Sequence, residues 1–236
     1  MSLRLIGLGL ALASANAPLA AQNYREVTDT RDHPRQVFGL NFQVALPQGE
    51  FKNFVGTGFG IGGNVTFFLD RANRAGLRIF GSWIQYGRTT ERLPLSPTLP
   101  GLLVDLTTAN NIFTFGFGPE FQFGTGGLRS YVHGAIGASN FATTTSAEGT
   151  NNTESFASTT NFNDWTFAWY GGGGLQLQVS DRPVFIDLGI RYQGHGETRY
   201  LREGSIHSTG GGGISFTPIQ SRTDILVPHL GVQIGI

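Results

Sequence analysis

Chemistry in this chain of 236 residues would have to come from few side chains, because only 14% of it is charged and Cys is 0. Arg78, Glu120, Arg129, His133, Asp187 and Arg191 stand out. Each falls on the polar or Gly-bearing side of an otherwise apolar, alternating segment. Guanidiniums and carboxylates taken out of water must pair, since an isolated buried charge is too costly for a fold to carry. Glu120 and Arg129 lie a diagonal step apart across a short turn at 124–127, and Asp187 and Arg191 share one face of one segment. These residues therefore predict an internal ionic network. Catalysis finds little support: His207-Ser208 set a base beside a hydroxyl, but neighbours on an extended chain point to opposite sides. His33, His133, His195, His207 and His229 show no metal-ligand spacing. Gly58-x-Gly60-x-x-Gly63 matches a dinucleotide fingerprint by letter, but it sits inside a segment of period two with no helix after it. No catalytic residue, metal ligand or cofactor is expected.

The elements that would position these residues are strands. In 36–46 the apolar set is Phe38, Leu40, Phe42, Val44 and Leu46, and in 111–123 it is Phe113, Phe115, Phe117, Phe121 and Phe123. The same period runs through 57–69, 76–86, 128–141, 165–179, 184–195 and 224–236, more weakly in the third and fifth segments. Strict alternation over such lengths means strands with one apolar face, and no segment shows a helical period. Short gaps at 70–75, 124–127 and 180–183 carry Asp, Asn, Gly, Ser and Pro, as tight turns require. They alternate with long polar gaps at 87–110, 142–164 and 196–223. Phe123 and Leu128 keep one parity across a turn, as do Val179 and Val184. An even strand number with short turns at one end and long loops at the other is the pattern of an outer-membrane barrel. The fold class expected is all-β, an eight-stranded antiparallel transmembrane up-and-down β-barrel.

Composition narrows the setting. Lys+Arg 16 balances Asp+Glu 16, which removes the basic face a nucleic-acid binder needs. At 39% hydrophobic and 12% aromatic, the chain is too apolar to remain disordered. Residues 1–21 form a short basic start, an apolar run and small residues ending in Ala20-Ala21, the pattern of a secretory signal peptide. Residues 22–35 are then a short periplasmic lead and 36–236 the barrel domain. A soluble lipocalin-like barrel also alternates, but its water-facing side would carry Lys and Glu, and this chain has one Lys, Lys52. Apolar faces are therefore assigned to lipid and polar faces to a narrow, filled lumen. Trp83, Trp165, Trp169 and Tyr192 lie toward the long-loop end of those lipid faces, at the height of an interfacial aromatic girdle.

Several stretches then resemble the small outer-membrane β-barrel proteins of the OmpA/OmpX type. They are Leu46-Pro47-Gln48-Gly49-Glu50-Phe51, Gly118-Pro119-Glu120-Phe121-Gln122-Phe123, Leu128-Arg129-Ser130-Tyr131-Val132-His133-Gly134, and the C-terminal His229-x-Gly231-x-x-Ile234-x-Ile236. The likeness covers most of 36–236. It implies residence in the outer membrane of a Gram-negative bacterium, with outer-membrane lipid as the surrounding partner. It also implies that His229, Gly231, Ile234 and Ile236 form the terminal strand signal read by the barrel-assembly machinery, although Ile236 stands where that signal usually has an aromatic residue. The role expected is structural or surface-interacting, with ligands met by the loops at 87–110, 142–164 and 196–223. A narrow small-solute channel, porin-like in placement, and a lipid-modifying enzyme with a Ser/His pair near the membrane edge are the alternatives.

Overall fold

The computed structural model describes residues 34–96, 99–124, 126–149, 152–202, 206–209 and 213–236. The expected signal peptide, 1–21, and nearly all of the expected lead, 22–35, lie outside them. The wall is a closed antiparallel barrel of eight strands: β1 (Gln36–Pro47), β2 (Gly58–Phe68), β3 (Ala75–Ser96), β4 (Leu99–Phe123), β5 (Leu128–Gly149), β6 (Asn152–Gln178), β7 (Val184–His195) and β12 (Ile225–Gly235). Each strand pairs with its sequence neighbour, and β1 closes the wall against β12 from Val37↔Gly235 to Pro47↔Ile225. Between β7 and β12, β8 (Glu197–Tyr200) pairs with β11 (Ile219–Arg222), and β9 (Ile206–Thr209) pairs with β10 (Gly213–Phe216).

Alternation decides which face is which. Phe113, Phe115, Phe117, Phe121 and Phe123 of β4 all point outward and are about half exposed, whereas Thr114, Glu120 and Gln122 point inward and are buried. Leu40, Ile61, Phe167, Leu188 and Leu230 continue the exposed apolar surface around the wall. An apolar surface that encircles the molecule would not be left to water. The lumen holds the reverse chemistry.

Two expectations are corrected here. The segments 87–110 and 142–164 are not open loops: β3 and β4 run on as a hairpin to Ser96↔Leu99, and β5 and β6 to Gly149↔Asn152. Their Thr, Ser and Asn lack an apolar alternation, so nothing in the pattern marked them as strand. Ladder pairing between neighbours nevertheless continues past the last lipid-facing residue. The turn at 124–127 also closes differently. Phe123 pairs with Ser130 and Glu120 with His133, a register two residues removed from one that sets Phe123 against Leu128. Gly124 (φ 90) and Gly126 (φ 109) take the left-handed backbone this wider turn needs.

Candidate functional site

The lumen is filled in two tiers. In the polar tier, Arg78 of β3 reaches Glu120 of β4, with Nη1 2.5 Å from Oε2, and its Nη2 donates to Asn64 Oδ1 at 2.9 Å. Thr66 Oγ1 donates to the same Glu120 oxygen at 3.4 Å, and Gln122 donates to the other at 3.3 Å. An amide chain then crosses the lumen: Gln122 to Gln176 at 3.4 Å and Gln176 to Gln233 at 3.0 Å. Arg78 is 2% and Glu120 0% exposed, so the pair holds only because further hydrogen bonds satisfy it. Opposite, His229 Nε2 stands 3.1 Å from the Tyr131 hydroxyl and 3.4 Å from Asp187 Oδ2. A Cβ at Gly189 would come 2.6 Å from that hydroxyl and one at Gly174 2.8 Å, so both positions must be bare for Tyr131 to fit. Arg191 donates to Gln43 at 3.4 Å and, with the Gln193 side-chain amide turned so that its oxygen faces the guanidinium, through Nε and Nη2 to that oxygen at 2.9 and 2.7 Å. Its guanidinium also lies 4.5 Å from the centre of the Phe80 ring.

The second tier, toward the long loops, is apolar. Ile84, Tyr86, Ile112, Phe141, Ile225 and Val227 face inward from the wall, and Phe51 drops onto them from the β1–β2 connection. Phe51 opens a short 3-10 turn, Phe51–Asn53, and is fully buried. Its ring meets Tyr200 edge-on at 4.9 Å, Tyr86 at 5.7 Å and Phe141 at 6.2 Å. The polar ends of these aromatics are bonded: Tyr86 donates to Leu201 O at 3.2 Å, and Tyr200 Oη lies 3.0 Å from Ser221 Oγ. At the border between the tiers His195 bridges Thr223 O at 2.6 Å and Ser139 Oγ at 2.9 Å. Apolar rings thus fill the lumen toward the long loops, while in the middle Arg78 is paired with Glu120, Arg191 bonds to amide oxygens and Asp187 faces His229.

Above the apolar wall, β3–β6 project as a four-stranded sheet. Hydroxyl and amide pairs join its strands: Thr90 with Thr107 at 3.0 Å, Thr108 with Thr145 at 2.9 Å, Thr143 with Asn110 at 2.7 Å and Asn161 with Thr145 at 2.6 Å. Arg92 grips Asp105 bidentately at 2.7 and 3.0 Å, and this hydrogen bond holds the Asp105 carboxyl below its usual range. From Asn152 to Asn163, β6 pairs with β5 on one side and with no strand on the other among the described residues.

The predicted residues fall as follows. Arg78, Glu120, His133, Asp187 and Arg191 are buried in the lumen. Asp187 and Arg191 are not joined: Asp187 faces His229, and Arg191 bonds to Gln43 and Gln193. Arg129 is not joined to Glu120. The wider turn leaves it at the short-turn mouth, where its Nε donates to Gly126 O at 3.3 Å and its guanidinium covers the Phe185 ring at 4.8 Å. Trp83, Trp165 and Trp169 point outward, Trp83 donating to Asn111 Oδ1 at 3.0 Å, and Tyr192 lies 5.5 Å from Trp169, ring to ring. His229 faces the lumen, Ile234 and Ile236 face outward, and a Cβ at Gly231 would strike Leu40 O. His207 and Ser208 lie in β9, opposite Ser215 and Ile214. Sequence reasoning missed the seal. Its available signals were Phe51, a large aromatic in a polar connection, and Tyr86, whose parity is opposite to that of Trp83.

A closed barrel with an exposed apolar wall and a polar, filled interior is a transmembrane β-barrel of the outer-membrane type. Solved structures similar to it include Ail, the attachment invasion locus protein of Yersinia pestis, at 14% identity and a TM-score of 0.45, covering 85% of this chain and 97% of that one. Neisserial surface protein A matches at 11% identity and a TM-score of 0.41, with coverage of 85% and 97%. The outer membrane protein OprG from Pseudomonas aeruginosa matches at 12% and 0.40, with coverage of 86% and 98%. No family model matches the chain, and no curated protein matches it in sequence.

Proposed function

We propose that this protein works at the cell surface as an interaction barrel, with the wall anchoring it and the projecting β3–β6 sheet meeting extracellular partners. The margin of β6 from Asn152 to Asn163, which has no strand partner on its outer side among the described residues, carries the reading. An unpaired edge offers a row of N–H and C=O groups to any extended segment, and natural folds usually cover or blunt such an edge. The lumen supports the same reading, because two filled tiers leave no path for general diffusion. The geometry favours neither solute passage nor acyl chemistry.

The test uses the full chain in lipid nanodiscs, panned against a displayed library of random peptides. Peptides recovered on the native protein should lose binding to Ser158→Pro or Thr160→Pro, each of which removes a backbone donor from the margin. Binding that survives both substitutions would defeat the edge as the contact. In planar bilayers the protein should show negligible conductance, and stable open channels would overturn the closed-lumen part of the reading.

A further inference from the structure

The rim at the short-turn end carries a charge imbalance that neither the lumen nor the projecting sheet uses. Arg35 precedes β1, Arg71 and Arg74 lie in the β2–β3 turn, and Arg182 lies in the β6–β7 turn, all exposed. Asp70 shares the first of these turns, but its Oδ1 is engaged by the backbone N–H groups of Arg74 at 2.8 Å and Ala75 at 3.0 Å. Asp181 is the other acidic side chain in these turns. None of the four arginines enters an ion pair among the described residues. At the long-loop end Arg92 is paired with Asp105, and acidic residues such as Glu50, Glu91, Glu148, Glu197 and Asp224 stand among the arginines.

Depth gives the patch its meaning. Leu69 is 80% exposed and directly precedes Asp70; Val179 is 52% exposed and lies just before the turn that holds Arg182. Ile236, also exposed, bonds to Gln36, the neighbour of Arg35. At about 3.3 Å per residue, these guanidiniums sit within about 10 Å of the last lipid-facing side chain. A headgroup layer is on the order of 5–8 Å thick on each side of the hydrocarbon, within reach of a snorkelling arginine.

We propose that this rim is a binding surface for anionic phospholipid headgroups of the short-turn leaflet, with Arg71, Arg74 and Arg182 contacting headgroup phosphate. The inference rests on the membrane reading above and adds a lipid preference to it. A guanidinium matches phosphate as a two-pronged donor, and a negatively charged leaflet draws basic groups over roughly a Debye length, about 10 Å at 0.1 M salt.

The full chain is refolded into phosphatidylcholine vesicles with or without phosphatidylglycerol, and its urea midpoint is measured at low and high salt. Phosphatidylglycerol should raise the midpoint, and salt should shrink the gain. The variant Arg71→Gln/Arg74→Gln/Arg182→Gln should migrate as a folded, heat-modifiable barrel from phosphatidylcholine yet lose more than half of that gain. Arg88→Gln/Arg222→Gln, at the other end, should keep it. An equal gain in the triple variant, or no gain in the native chain, overturns the proposal. A gain reproduced by tripolyphosphate in zwitterionic micelles would assign the site to free phosphate instead of the leaflet. Failure to insert into either vesicle, seen directly as loss of heat-modifiable migration, overturns the membrane reading itself.

Discussion

The middle of the lumen and its mouth are both closed, but by opposite means. In the middle, Arg78, Glu120, Asp187 and Arg191 are held by named donors and acceptors, so geometry matters more than volume. At the mouth, Phe51, Tyr86, Phe141 and Tyr200 fill space, and what matters is shape. Removing the partner of a buried polar group leaves its desolvation uncompensated, whereas an apolar cluster gives up little to a substitute of similar volume. The contrast teaches that one barrel interior can be closed by directional bonds at one level and by packing at the next. It also predicts different responses to mutation.

The largest effect should come from removing one member of the buried ion pair. Glu120→Ala leaves Arg78 charged and uncompensated, at an expected cost of about 3–5 kcal/mol in urea unfolding from vesicles. Replacing both by leucine should cost clearly less, because no charge is then left behind. If the double variant were as unstable as the single one, the middle tier would be acting by volume and the contrast would fail. At the mouth, Phe51→Ala should cost about 3 kcal/mol and Phe51→Leu less than about 1.5 kcal/mol, which calorimetry of the detergent-folded barrel would resolve. Equal losses from both substitutions would mean that Phe51 is held by something more specific than packing.

The smallest effect belongs outside the wall, at Asp70. The N–H of Ala75, with other backbone N–H groups of the turn, lowers its carboxyl pKa below the ordinary value. The folded value lies below the unfolded one, so the contribution to stability is present above the unfolded pKa and lost as pH falls through the folded one, in the range below about pH 4. Asp70→Asn should therefore lower the midpoint slightly at neutral pH and flatten its acid dependence, with no change in heat-modifiable migration. A variant with the native acid profile would show that the turn does not depend on this carboxylate.

Much of the wall was legible in the residues. Phe113 to Phe123 announce a strand with one lipid face, and the parity of Tyr86 against Trp83 already places it inside. The pairing of Glu120 was not legible. Whether Arg129 could reach it depended on whether Phe123 meets Leu128 or Ser130, and side-chain period is the same for a register shifted by two. The hairpin extensions of β3–β6 were hidden for a different reason: their buried positions, such as Thr107, Asn110 and Thr143, are filled by polar side chains, so no apolar alternation marks them.

By itself, then, the sequence determined the eight wall strands, the face their alternating residues take and the two chemistries those faces carry, because burial selects for polarity at every second position. Tertiary structure alone decided which inward groups meet: Arg78 with Glu120, Tyr131 with His229, and Phe51 with Tyr200 across the mouth. Those contacts join residues far apart in the chain. Within the wall they are set by how the closed barrel staggers its strands, which period two constrains only to even steps, and at the mouth by how the connections carrying Phe51 and Tyr200 fold over it.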